Sequence, residues 1–106
     1  MRVCIYARYS SDLERGASVD DQILVCKERI AREHWALTAT YADRGMSGAN
    51  HLRPGYQQLL ADVRNGEFDI VVAEALDRIS RDQEHVASFY KQMMFAGVRV
   101  VTLAEG

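Results

Sequence analysis

At 106 residues, 48% of them hydrophobic and only one a proline, the chain suits a single domain that buries about two-thirds of its unfolded surface, and disorder is excluded. Thirteen basic against fifteen acidic residues leave a net charge of −2, which argues against a stand-alone nucleic-acid clamp but not against a local basic site. No apolar run approaches the roughly 20 residues of a membrane span, no signal-peptide stretch opens the sequence, and the two cysteines, with no CxxC spacing, read as buried thiols in a reducing compartment.

Val3 to Ala7 are mostly apolar and consecutive, the pattern of a central strand covered on both faces. The run stops at Arg8, Tyr9, Ser10 and Ser11, which places a guanidinium and two hydroxyls at the strand's carboxyl end. Ligands bind outside that edge in open α/β sheets, so Ser10 is placed like a nucleophile beside an anion-holding cation. An ordinary polar turn is the competing reading. Asp12 to Ala17 follow as a polar loop pivoting on Gly16. Ser18 then suits a helix N-cap, with Asp20 and Asp21 in the first turn and Val19, Ile23, Cys26 and Ile30 on one apolar face. Gln22, one turn into this helix, is either solvated surface or a site residue.

Leu37 to Ala42, rich in Thr and Tyr, reads as a second strand ending at Asp43, which is either a cap or a site carboxylate. A glycine-containing loop leads to Arg53 and Pro54, where proline suits the first helical position. Tyr56, Leu59, Leu60 and Val63 make the next apolar face, and Asn65-Gly66 stops that helix. Phe68 to Ala73 is a third strand. Leu76-Asp77-Arg78-Ile79-Ser80-Arg81-Asp82 is the second polar concentration, and on a helical turn Arg78 and Arg81 would project from one face. Ser80 and Gln83 match a capping box, so a helix is predicted from there, with Val86, Phe89, Tyr90 and Met93 inward and Gly97 at its end. Val98 to Leu103 completes four strands in an alternating β/α order. That order predicts an α/β fold of three layers, with a mostly parallel sheet of four strands or slightly more, flanked by helices, all carboxyl ends on one edge.

This topology gathers Arg8 and Ser10, Asp43, and Asp77, Arg78 and Arg81 at one edge. Guanidinium groups bind phosphate oxygens in a fork and stabilise charge that develops on them. His34, His51 and His85 are poorly placed to act as a base for Ser10, and no histidine or cysteine spacing predicts a metal site. Neither a Walker-type loop nor a GxGxxG turn is present, so nucleotide binding has little support.

Five blocks in order, Tyr6-Ala7-Arg8-Tyr9-Ser10, Ser18-Val19-Asp20-Asp21-Gln22, Asp43-Arg44-Gly45-Met46-Ser47-Gly48, Arg53-Pro54-Gly55 and Leu76 to Asp82, resemble the catalytic domain of the serine recombinases, the resolvase/invertase family. The wording of the Ala17-to-Gln22 and Arg53-to-Tyr56 blocks is more like the large serine recombinases of phage integrases and transposons. The resemblance implies a resolvase-like fold and an enzyme that cuts and rejoins double-stranded DNA. Ser10 would attack the phosphodiester to form a 5′-phosphoserine link, Arg8, Arg53, Arg78 and Arg81 would hold the phosphate, and Gln22, Asp43 and Asp77 would position them. Asp77 with Arg81 would be the first candidates for moving protons. No cofactor, metal or ATP is implied, nor any membrane partner, and the protein would be cytoplasmic and encoded by a bacterium, phage or mobile element. Family members continue into a long dimerising helix and a DNA-binding region. Residues 1–106 therefore look like an excised catalytic domain, expected to fold but not to recombine DNA alone. The loops Asp12 to Ala17 and Arg44 to Arg53 are expected to order only with DNA and a partner subunit. Two other readings stay open: a non-catalytic α/β module holding a phosphorylated ligand, and a serine phosphotransferase or hydrolase.

Overall fold

Period-two alternation in the first strand sets how the helices are shared between the two faces of the sheet. The computed structural model describes residues 1–9, 18–44 and 53–105. Within them, β1 (Arg2–Tyr9), α1 (Val19–Arg32), β2 (Ala36–Arg44), α2 (Pro54–Arg64), β3 (Ile70–Ala73), α3 (Leu76–Ile79), α4 (Gln83–Ala96) and β4 (Arg99–Thr102) follow in order. All strand pairings are parallel, in the order β2-β1-β3-β4. Val3 and Ile5 pack with Ile70, Val72, Cys26 and Ile30 on the face covered by α1. Cys4 and Tyr6 point the other way, into a core with Leu59 and Val63 of α2 and Phe89 and Met93 of α4. The three-layer parallel α/β fold expected from the sequence is the fold observed.

Several helix ends also match their sequence signals. Ser18 Oγ accepts the Asp21 amide at 3.2 Å, Pro54 opens α2, and Gly97 closes α4 in the left-handed region at φ 72°. One start does not match. Ser80 does not cap α4: its hydroxyl accepts the amide of Asp82 at 3.0 Å, and Asp82 Oδ1 then accepts the amide of Glu84 at 2.8 Å. A carboxylate nearer the helix takes over the cap. The backbone at Ser80 is extended, which splits the segment into the one-turn α3 and the longer α4. Arg78 and Arg81 therefore do not share a helical face, contrary to the sequence expectation.

The amino end of α2 sits directly on the carboxyl end of β2. A Cβ added at Gly55 would come within 2.6 Å of the Ala42 carbonyl oxygen, which is backbone and has little room to yield. Gly55→Ala is expected to destabilise the protein by about 1–3 kcal/mol through this overlap. Chemical denaturation measures it, and an unchanged midpoint would mean that α2 shifts freely along the sheet.

Candidate active site

The sheet order reverses direction between β1 and β3, and α/β sheets bind ligands at the carboxyl edge beside such a switch point. Arg8 lies at the carboxyl end of β1, and α3 follows the neighbouring β3. Because Arg8 is two residues beyond Tyr6, it shares the face of the strand turned toward α2 and α4.

The last turn of α3 has no following turn to use its carbonyl groups, and arginines take them. Arg8 Nε donates to the Arg78 carbonyl oxygen at 3.0 Å and Arg8 Nη2 to the Asp77 carbonyl oxygen at 2.6 Å. Arg53 Nη2 donates to the Ile79 carbonyl oxygen at 2.6 Å, with the Arg78 oxygen at 3.5 Å. Three successive carbonyls at the negative end of a helical turn thus orient two guanidinium groups. Arg53 also lies over the Tyr56 ring, 4.3 Å from its centroid, and donates to Tyr6 Oη at 2.8 Å. Its own backbone is left-handed, at φ 40°, which is unusual for a residue other than glycine.

Asp43 resolves into a structural anchor. It is almost wholly buried, and Oδ1 accepts the Gly55 amide at 2.8 Å. Oδ2 accepts the Tyr56 amide at 3.0 Å and the Tyr6 hydroxyl at 2.6 Å. A carboxylate from the neighbouring strand therefore caps α2 and fixes Tyr6, which in turn holds Arg53. Burial raises the Tyr6 hydroxyl well above the ordinary tyrosine range; Arg53 works against this and Asp43 adds to it. Tyr6 therefore stays protonated and bridges the two.

Gln22 is fully buried rather than solvated. Its Oε1 accepts the Arg8 amide at 3.2 Å and its Nε2 donates to the Arg8 carbonyl at 3.0 Å, so α1 clamps the backbone from which the Arg8 side chain projects. Arg78 behaves differently from Arg8 and Arg53. Its backbone carbonyl faces them, but its side chain turns to Glu74, with both Nε and Nη2 at 2.9 Å from Glu74 Oε1. The Asp77 carboxylate is half-exposed and lies 3.9 Å from Arg78 Nε.

Burial, and then the charge of Arg53, pulls Arg8 below the ordinary arginine value; Arg81 pushes the same way, while Tyr6 and Asp77 oppose it. Guanidinium stays protonated regardless. Burial is the larger cause, but the contributions of Arg53 and Arg81 show that three guanidinium groups lie near one another at this edge, an arrangement suited to an anion with several oxygens. Ser10, Ser11 and residues 12–17 and 45–52, where the sequence predicts loops, lie outside the described residues, whereas Tyr9, immediately before Ser10, ends β1. Among the described residues, no group of three or more His, Cys, Asp or Glu side chains could hold a metal ion, and no helix is long and apolar enough to cross a membrane.

Two residues that sequence reasoning gave no separate role belong to this site. Tyr6 had a signal, because a tyrosine inside a buried strand needs a partner for its hydroxyl. Glu74 had one as well, standing four residues before Arg78.

The family model for the resolvase N-terminal domain matches residues 3–106. The solved N-terminal catalytic domain of TP901-1 integrase is 31% identical, with a TM-score of 0.85 over 99% of this chain and 78% of that one. The C-terminal catalytic domain of ISC1926 TnpA, an IS607-like serine recombinase, is 25% identical at TM-score 0.82, over 97% of this chain and 70% of that one. A resolvase family site-specific recombinase from Streptococcus pneumoniae superimposes at TM-score 0.86 over 100% of this chain and 74% of that one, and at 24% identity it speaks to the fold alone. Comparison with curated protein sequences gave no match.

Proposed function

The chain belongs to the resolvase family of serine recombinases, and from that premise we propose that residues 1–106 are a catalytic domain that cleaves DNA through Ser10. In this reading Ser10 Oγ attacks the scissile phosphorus, the bond from phosphorus to the 3′ oxygen breaks, and the DNA stays joined to the protein as a 5′-phosphoserine. The serine loses its proton to a base and the departing 3′ oxygen gains one; we assign both transfers to the Asp77 carboxylate, which takes the first proton and returns it, with Arg81 as its charged partner. Attack by a 3′-hydroxyl on the phosphoserine reverses the step, so rejoining needs no ATP or metal. Arg8, Arg53 and Arg81 neutralise the pentacoordinate phosphorus; the resemblance put Arg78 on the phosphate with them, but its side chain is held by Glu74, so in this reading it contributes its carbonyl to their placement instead. Gln22 and Asp43 act behind them, on the backbones that carry Arg8 and Arg53.

The observation that carries the reading is the pair of guanidinium groups of Arg8 and Arg53, fixed on the carbonyls of α3 at the sheet edge. Likeness to an integrase catalytic domain supports a partner site on double-stranded DNA and the integrase-type expectation. Assembly of the intact recombinase with further copies of itself, and a place in the cytoplasm, belong to the same proposal.

The test is cleavage of a nicked suicide substrate by the intact recombinase in excess EDTA. Protein attached to 5′ ends, with free 3′-hydroxyls opposite, is expected at the rate seen without chelator. Protein-free 5′-phosphate ends, or activity that only Mg²⁺ restores, would instead favour a nuclease.

A further inference from the structure

The one-turn helix α3 carries the carbonyls that hold Arg8 and Arg53, yet four residues cannot sustain a helical turn alone. Its surroundings must hold it. Ile79 is wholly buried in the core, and the Leu76 amide donates to Glu105 Oε1 at 3.1 Å. The third restraint is charged. Glu74 Oε1 receives both Nε and Nη2 of Arg78 at 2.9 Å, and the Arg78 side chain is only 6% exposed. Arg78 Nη1 is buried with no hydrogen-bond partner among the described residues, and the Asp77 carboxylate stands off at 3.9 Å. Glu74 is thus the main counter-charge of a buried cation whose own carbonyl is the meeting point of Arg8 and Arg53.

We propose that Glu74 is a positioning residue for strand cleavage, acting through Arg78 to fix the turn whose Asp77, Arg78 and Ile79 carbonyls aim Arg8 and Arg53. Without the carboxylate, a buried guanidinium with an unpaired Nη1 has no reason to stay inside. As it turns toward water, the peptide groups of residues 77–79 rotate with it and the arginines lose their acceptors. Nothing in the proposed chemistry asks Glu74 to touch DNA. The inference rests on the recombinase reading for its consequence, but the geometry it describes is independent of that reading.

The experiment compares wild type, Glu74→Gln and Glu74→Asp in the intact recombinase. It measures single-turnover cleavage at saturating protein, binding to the same DNA site, and hydrogen exchange of the Arg8 Nε–H by NMR in the absence of DNA. Glu74→Gln is expected to cut roughly 10- to 100-fold more slowly at unchanged site affinity, as small misplacements of catalytic groups do. Its Arg8 Nε–H should lose protection, while core amides in β1 and β3 keep theirs. Glu74→Asp retains the counter-charge with a shorter reach, is expected to fall between the two, and serves if Glu74→Gln does not fold. Wild-type cleavage by Glu74→Gln would overturn the proposal, as would slow cleavage with Arg8 protection intact. Faster cleavage would overturn it too, since it would mean that the pair restrains Arg78 instead. Lack of cleavage by wild type would count against the recombinase reading, and the exchange measurement would still judge the geometry.

Discussion

Arg8→Lys is expected to slow single-turnover cleavage by roughly 100- to 1,000-fold, the usual cost of losing one preorganised donor to a developing oxyanion. The positive charge survives this change, so a simple attraction of DNA would be little affected. What lysine lacks is the fork. Arg8 spends Nε and Nη2 on the Arg78 and Asp77 carbonyls, and the same planar group can still offer N–H bonds to a phosphate oxygen. An ammonium on a flexible stem can satisfy the carbonyls or the phosphate, but not both in a fixed plane. Cleavage of a suicide substrate, with site binding measured alongside, gives the answer. A near-normal rate would show that Arg8 serves only to tie β1 to α3.

Asp43→Asn is expected to cost stability on a larger scale than its near-identical shape suggests. Oδ2 receives two donors, the Tyr56 amide and the Tyr6 hydroxyl, and Oδ1 receives the Gly55 amide. An asparagine can present only one oxygen, so its NH₂ must face a donor whichever way it turns. Buried donors left unpaired cost about 1–3 kcal/mol each, and a loss of about 2–3 kcal/mol lowers the thermal midpoint by on the order of 10 °C in a domain of this size. Because the same carboxylate seats the amino end of α2, Arg53 should loosen too, and cleavage should fall even well below the new midpoint. Calorimetry and cleavage at reduced temperature separate the two effects. An unchanged midpoint would show that water replaces the lost acceptor.

Much of this was visible in the chain of residues, for reasons that can be located. Val3 to Ala7 and Ile70 to Ala73 are unbroken apolar runs, so they had to be buried strands, and the polar clusters after them had to sit at one edge. Asp43 could be read as a cap or as a site carboxylate, and no local signal decides between them. It caps a helix that begins eleven residues later, a tertiary contact, and through Tyr6 it also supports Arg53. Gln22 could be read as solvated surface or as a site residue, yet it stands at spacings of three and four from Val19 and Cys26, inside the apolar stripe of α1. A polar side chain on that stripe had to find partners, and it found the backbone of Arg8. The boundary between α3 and α4 was obscured because Ser80 and Asp82 are both competent caps, and only tertiary geometry selects one. That single extended residue separated Arg78 from Arg81. The sequence pattern alone had joined them.

The role of Ser10 is the centre of the account, and the most direct test is to identify the atom that holds the cleaved DNA. The intact recombinase is trapped on a suicide substrate, digested, and the nucleotide-bearing peptide sequenced by mass spectrometry, with Ser10→Ala and Ser11→Ala measured in parallel. A phosphodiester on Ser10 is expected, with no adduct from Ser10→Ala despite normal site binding and a clear adduct from Ser11→Ala. An adduct formed by Ser10→Ala, or one mapped to any other residue, would contradict the role of Ser10.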